Sequence, residues 1–369
     1  MTTDDWVVLA MLWWRGRGRT AIARWLSDPA GAAQSGRDAD VSLGRTLARI
    51  DASLAAPDRL TGARAAARSA LQSASAAGMT VVPWSDTTRY PTMLAAIQDP
   101  PPVLWIRGRV EALHAPAVAI VGSRAGSAYA RDVGRELGSA LAARAVTVVS
   151  GLARGVDASA HQGALAAEGR TVAVLGSSVD IVYPPEHIGL ATDVVRRGSV
   201  VSELPPGTMP RPSHFPLRNR LISGLSRAVV IVEATERSGS LITARLALEQ
   251  GREVMAVPGN VLSGRNRGAH ALIKDGAKLV EDVDDILEEI GPAPVDAGSS
   301  RPGAEDPVLR HLARGDSYDL DELIALSGID GPRLLPRLLE HELAGRLARI
   351  GGGRFSRTAE GAMPRGLDP

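Results

Sequence analysis

From residue 118 onward the chain alternates short, β-branched apolar runs with amphipathic stretches of helical length. No other feature constrains the fold as tightly. The runs cover residues 118–121, 146–149, 171–175, 200–202, 228–232 and 253–257, and the longer stretches between them include 128–143, 158–167 and 241–250. Continuous apolar runs suit strands buried on both faces. Regular strand–helix alternation then predicts an α/β fold with an extended, Rossmann-like, doubly wound and mainly parallel sheet. Residues 278–280 and 283–290 read as a closing strand and helix.

The ends of the chain follow other patterns. Residues 1–75 read as short helices, among them 6–14 and 21–26, with Arg15-Gly16-Arg17-Gly18-Arg19-Thr20 turning between them. Such a Gly-x-Gly turn resembles the hairpin that holds DNA backbones through its amides, but a plain packing turn is the reading preferred. Trp6, Trp13, Trp14 and Trp25 make this a hydrophobic module. Residues 76–117 form a bridge, with short strands at 81–82 and 103–106 around the rigid elbow Asp99-Pro100-Pro101-Pro102. Residues 291–305 have linker composition. Beyond them, helices at 307–312, 320–327 and 332–340 and a hairpin at 346–350 and 354–356 predict a winged helix. The expected domains are therefore 1–75, 76–290 and 306–369, joined by the linker 291–305. From residue 306 onward basic and acidic residues nearly balance, which suits a protein contact better than DNA.

Composition removes several function classes. The chain of 369 residues has a formal net charge of +1, so anion binding must come from local patches. All but Lys274 and Lys278 of the 42 basic residues are arginine. With abundant Ala and Gly, that bias fits a GC-rich genome, so arginine alone does not signal phosphate chemistry. The absence of cysteine excludes disulfides and thiolate nucleophiles. The histidines lack ligand spacing, so no metal and no cofactor is expected. The apolar run 6–14 follows Asp4 and Asp5 and is too short to span a bilayer. No membrane insertion and a cytoplasmic location are expected.

In an open α/β sheet, ligands bind beyond the carboxyl ends of the strands. Here those ends carry Gly122-Ser123-Arg124, then Ser150-Gly151-Leu152-Ala153-Arg154-Gly155-Val156-Asp157, then Gly176-Ser177-Ser178. Later ends carry Glu233 to Ser240 with Arg237-Ser238-Gly239-Ser240, and Pro258-Gly259-Asn260. Glycines and helix N-termini favour anions, and arginine adds bidentate contacts. Between Glu203 and Glu233 lies a loop without Asp or Glu that contains Arg211, Arg218, Arg220 and Arg227. Phe215, one of two phenylalanines, stands in it. An aromatic beside arginines can stack on an unpaired base, although Phe215 could equally fill a core gap. Asp157 and His161 are spaced as an acid/base pair, but a helix cap and an internal hydrogen bond account for them better. Glu233 and Glu236 could be catalytic carboxylates or anchors for Arg218 and Arg220. No dinucleotide fingerprint, Walker Gly-Lys-Ser/Thr or nucleophile elbow occurs.

Taken together, these motifs resemble the DNA processing protein A family, also called Smf. The resemblance runs from about residue 78 to 290. It rests on Tyr90-Pro91, Asp99-Pro100-Pro101-Pro102, Gly122-Ser123-Arg124, Ser150 to Asp157, Tyr183-Pro184, Ser202-Glu203-Leu204-Pro205-Pro206-Gly207, the segment 215–226, Ser238-Gly239-Ser240 and Pro258-Gly259. The resemblance implies a non-enzymatic protein that binds single-stranded DNA and forms a homodimer. It also implies loading of RecA recombinase during natural transformation. The implied DNA-binding residues are Gly122, Ser123, Arg124, Gly151, Arg154, Gly155, Phe215, Arg218, Asn219, Arg220, Ser238, Gly239 and Ser240. A helical N-terminal domain of the SAM or helix-hairpin-helix kind and a C-terminal winged helix are also implied. His270 stands where the family usually has Asn, and Pro212-Ser213-His214 where a basic residue often precedes the Phe. The competing reading is a Rossmann-like nucleotide phosphoribohydrolase. Its Pro-Gly-Gly-x-Gly-Thr strand end is replaced here by Arg237-Ser238-Gly239-Ser240.

Overall fold

The apolar runs become a single nine-stranded sheet in the computed structural model, which describes residues 1–14, 19–27, 43–291, 317–343, 347–350 and 354–357. Its strands are β1 (Thr80–Pro83), β2 (Val103–Gly108), β3 (Ala117–Val121), β4 (Thr147–Ser150) and β5 (Thr171–Val174). They continue with β6 (Ser199–Ser202), β7 (Ala228–Ile231), β8 (Glu253–Ala256) and β9 (Lys278–Leu279). The order is β1-β2-β6-β5-β4-β3-β7-β8-β9. Strands β3 to β9 run parallel to their neighbours, whereas β2 is antiparallel to β6 and β1 to β2. The mainly parallel sheet expected from the alternation is present, with its antiparallel pair supplied by the bridge segment.

The helices of this first unit are α1 (Thr3–Trp14), α2 (Arg19–Leu26), α3 (Leu43–Ile50), α4 (Pro57–Ala76), α5 (Thr92–Ala95), α6 (Ala128–Ala143) and α7 (Val156–Ala166). They are followed by α8 (Ile188–Arg197), α9 (His214–Gly224), α10 (Ser240–Glu249), α11 (Arg267–Lys274) and α12 (Val283–Ile290). Alternate residues of each central strand point to opposite faces. Val118, Ile120 and Val230 pack with Leu137, Leu141 and Ile286, under α6, α7 and α12. Ala119, Val121 and Ile231 face Leu221, Ile222, Ala244 and Ala247, under α9 and α10. The N-terminal helices share a core with Val103, Trp105, Ala173 and Val200, so they pack directly on the β2–β6–β5 end of the sheet.

Two local readings change. The N-terminal region is not made only of short helices, because α4 runs from Pro57 to Ala76. It buries Ala63, Ala67, Ala70 and Ala74, a narrow alanine seam that gives little hydropathy signal. The acid-free segment around Phe215 is a helix, not a loop. Pro216 falls in its first turn, where the backbone N–H needs no intrahelical acceptor, so it does not break α9. The Gly-x-Gly turn at 15–18, the linker from 292 and the helix expected at 307–312 lie outside the described residues.

The chain divides at Pro294/Val295. In the second unit α13 (Leu320–Ser327) and α14 (Gly331–Leu343) precede a hairpin of β11 (Leu347–Ile350) and β12 (Arg354–Arg357). A short β10 (Ser317–Tyr318) pairs with β12 and completes the winged-helix pattern. Leu323, Leu334, Leu338, Leu347 and Phe355 form its core.

Candidate nucleic-acid interface

In this strand order the connections from β3 and from β7 leave toward opposite sides. A crevice opens beyond the carboxyl ends of such a pair. It has a volume of about 600 Å³. Gly122, Ser123 and Arg124 line one wall, Thr235 and Ser238 to Ser240 another, and α9 the third. Phe215, Arg218, Asn219 and Ile222 all line it, at the i, i+3, i+4, i+7 spacing that places side chains on one helical face.

Phe215 is half-buried at the mouth. Its ring centroid lies 5.6 Å from that of Tyr183, and the Arg124 guanidinium carbon lies 5.1 Å from it. Gly176 backs the ring closely: a methyl group there would sit 2.9 Å from Phe215 Cδ1. Arg124 itself is exposed. Across the crevice, Asn219 Nδ2 donates to Gly239 O at 3.4 Å, and the Ser238 and Ser240 hydroxyls are 2.7 Å apart at the start of α10. The rim therefore combines an aromatic face, a free cation, hydroxyls and a helix N-terminus. That set suits an aromatic base attached to a phosphate.

Arg218 forms the floor. It is 5% exposed, and Nη1 donates to Gly151 O at 2.7 Å and to Val174 O. Burial pulls its pKa down to about 10, partly offset by nearby Asp157, while the charge of Arg124 lowers it further. It stays charged at neutral pH. Asp157 in turn accepts from Gly151 N at 3.1 Å, and burial raises its carboxyl pKa against the pull of Arg218. A methyl group on Gly151 would lie 2.1 Å from Arg218 Nη1. Gly155 has φ +74°, and a methyl there would lie 2.3 Å from Ser123 O. These two glycines let the 150–157 loop close on Arg218 and on the β3 loop. Neither lines the crevice.

Two of the expected arginines lie elsewhere. Arg220 projects from the opposite side of α9 and pairs with buried Glu203 and, at 3.0 Å, with Asp99. Glu203 also accepts from Trp13 Nε1 at 3.2 Å, and Asp99 from Arg19 Nη2 at 3.3 Å. Arg220 is thus a link between α9, the proline elbow and the N-terminal helices. Arg154 is not part of the crevice lining; it pairs with Glu186 and lies beside Tyr183, which does line it. Glu233 anchors neither Arg218 nor Arg220. It accepts from Ser127 N and Oγ at 3.2 and 2.6 Å. Asp157 and His161 do not act on each other. Thr171 Oγ1 donates to Val148 O at 2.7 Å, so it accepts from His161 Nδ1, also at 2.7 Å. Burial pulls the His161 pKa down to about 3, aided by His187 and Arg218, so this ring is neutral.

Tyr183 and Thr235 also line the crevice. The sequence held a hint of Tyr183 in its Tyr-Pro pair, but nothing local said that this loop reaches Phe215. Among the described residues, no cluster of three or more His, Asp or Glu could hold a metal. No described helix is long and apolar enough to cross a membrane.

The chain matches the family described as DNA recombination-mediator protein A over residues 81–291, and the DprA winged helix domain over residues 292–353. It is 42% identical over 281 residues to Protein Smf of Escherichia coli K12, covering 73% of this chain and 75% of that one. It is 42% identical over 214 residues to DNA processing protein DprA of Bacillus subtilis, covering 58% and 72%. The X-ray structure of DNA processing protein A from Streptococcus pneumoniae superposes with a TM-score of 0.67 at 34% identity, covering 78% of this chain and 98% of that one. The Helicobacter pylori protein, whose structure was solved for its single-stranded DNA binding mode, gives 0.52 at 28% identity, covering 57% and 94%.

Proposed function

The chain belongs to the DNA recombination-mediator protein A family, and from that premise we propose that the β3–β7 crevice binds single-stranded DNA without reading its sequence. One observation carries the reading: the exposed Arg124 guanidinium and the Phe215 ring meet at 5.1 Å on the rim of the crevice. A base stacks on Phe215 beside Tyr183, and Arg124 moves onto the adjoining phosphate. The hydroxyls of Ser123, Ser238 and Ser240 and the start of α10 take further phosphate oxygens. Buried Arg218 supplies fixed positive potential from below. In the DNA-binding body, residues 76–290, the chain acts as a homodimer in the cytoplasm. There it protects incoming strands and loads RecA onto them during natural transformation, with no chemistry of its own. Asp157 and His161, occupied by Gly151 and Thr171, support the non-catalytic part of the reading.

A duplex cannot offer an unstacked base to Phe215. Oligo(dT) should therefore bind more tightly than duplex of equal length, with log K falling by roughly 0.7 per phosphate contact per log unit of salt. Equal affinity for the two would overturn the proposal. A nucleoside-monophosphate release assay on the same samples should stay at background. Release above background would favour the phosphoribohydrolase reading.

A further inference from the structure

A second cavity, of about 700 Å³, has no part in that reading. It lies between the loops that follow β3 and β8, with Ser127, Tyr129, Glu233, Pro258, Arg265 and Asn266 in its walls. Two observations join it to the crevice. Arg265 Nη1 donates at 3.2 Å to the carbonyl of Ala125, which lines the crevice. A small depression between them shares Thr235 with the crevice and Ser263 and Arg265 with the cavity. The surface is continuous from Phe215 across Thr235 to the 258–267 loop.

That loop has a fixed shape. Asn260 Oδ1 accepts from Leu262 N at 2.8 Å, and Ser263 Oγ donates to Asn260 O at 2.8 Å. The turn so formed holds Val261 73% exposed and Leu262 92% exposed. Arg237, Arg265 and Arg267 are exposed around it, against the exposed carboxylate of Glu236. Glu233 is buried, engaged by Ser127 and 3.9 Å from Arg265 Nη1, so it holds that guanidinium at the cavity wall. Asn266, 3% exposed, leaves its carbonyl Oδ1 without a hydrogen-bond partner. Two apolar side chains held out among arginines match a ligand that is apolar on its faces and anionic along its spine.

We propose that this surface is a second subsite for the same DNA strand. On leaving the crevice the strand crosses Thr235, Arg265 and Arg267 take its phosphates, and Val261 and Leu262 form a shelf under a base. The proposal rests on the crevice binding single-stranded DNA. Charge complementarity and continuity with that crevice select a nucleic acid strand as the occupant.

The test compares fluorescently labelled oligo(dT) of about 5 and about 20 nucleotides, lengths that bracket one single-strand site. The full-length protein is titrated at several salt concentrations. Arg265→Gln with Arg267→Gln keeps hydrogen-bonding side chains but removes both charges. For the long oligonucleotide this variant should lose about tenfold or more in affinity, and its salt slope should fall by about 1.4, the share of two phosphates. Its affinity for the short one should match wild type. Val261→Ser with Leu262→Ser should weaken the long oligonucleotide several-fold with the slope unchanged. If both variants bind the long oligonucleotide as wild type does, or lose short and long equally, the subsite is overturned while the crevice reading stands. If wild type binds only the long one, through Arg265 and Arg267, the crevice reading fails, and with it the subsite as a continuation of the crevice.

Discussion

Phe215 lines the crevice with Gly176 close against its ring, Tyr183 beside it and the Arg124 guanidinium over it. Phe215→Leu keeps most of the apolar volume and removes the aromatic face. Stacking in single-strand binders is worth about 1–3 kcal/mol per base, so affinity should fall roughly 5- to 150-fold. The salt slope should not move, because the phosphates keep their partners. Arg124→Ala should give the complementary pattern, a loss of about tenfold with a slope lower by about 0.7. Parallel melting curves decide the matter. A lower Tm for the leucine variant with unchanged affinity per folded molecule would make Phe215 a core residue and remove the stacking role. The sequence marked Phe215 and Arg124 as candidates by type and by neighbourhood. It could not mark their mutual contact, which depends on two loops from different strands meeting at one crevice.

Helix α9 shows where local reading runs out. Its arginines were visible as a positive run, yet their roles depend on helical phase. Positions 218 and 220 are two apart, so on a helix they point about 200° from each other. One forms the crevice floor and the other enters a buried ion network with Glu203 and Asp99. A segment containing a proline, a glycine and no acidic cap did not read as a helix, so that phase was not available. The strands were legible for the opposite reason, since β-branched runs buried on both faces carry their own signal. The position of Arg220 has a measurable consequence. Removing one partner of a buried ion pair leaves the other charge uncompensated, at a cost of about 3–5 kcal/mol. Arg220→Met should lower Tm strongly, and adding Glu203→Leu should recover part of the loss by removing the orphaned carboxylate. A direct DNA ligand would behave otherwise: the single variant would keep its Tm and lose affinity and salt slope. That result would return Arg220 to the interface.

At the scale of the whole molecule, the two units differ in what they offer DNA. The first concentrates exposed Arg124, Arg237, Arg265 and Arg267 on one edge of its sheet. In the second, the described charges largely neutralise one another: Arg354 pairs with Asp319 and Glu322, and Arg333 with Asp330. Its uncovered side chains include Leu326, Leu335 and Leu339 on α13 and α14, apolar surface of the kind that meets protein better than phosphate. Net charge, the cheapest sequence quantity, is blind to this division because at +1 the cationic edge is offset by an excess of acidic residues elsewhere. A chain truncated after Ile290 should therefore bind oligo(dT) within about twofold of full length and with the same salt slope, since no phosphate partner has been removed. Full-length and truncated protein would be titrated side by side at two salt concentrations. A truncated chain with much weaker binding and a shallower slope would show that the winged helix holds phosphates itself. Weaker binding at an unchanged slope would instead place its effect on the fold or assembly of the first unit.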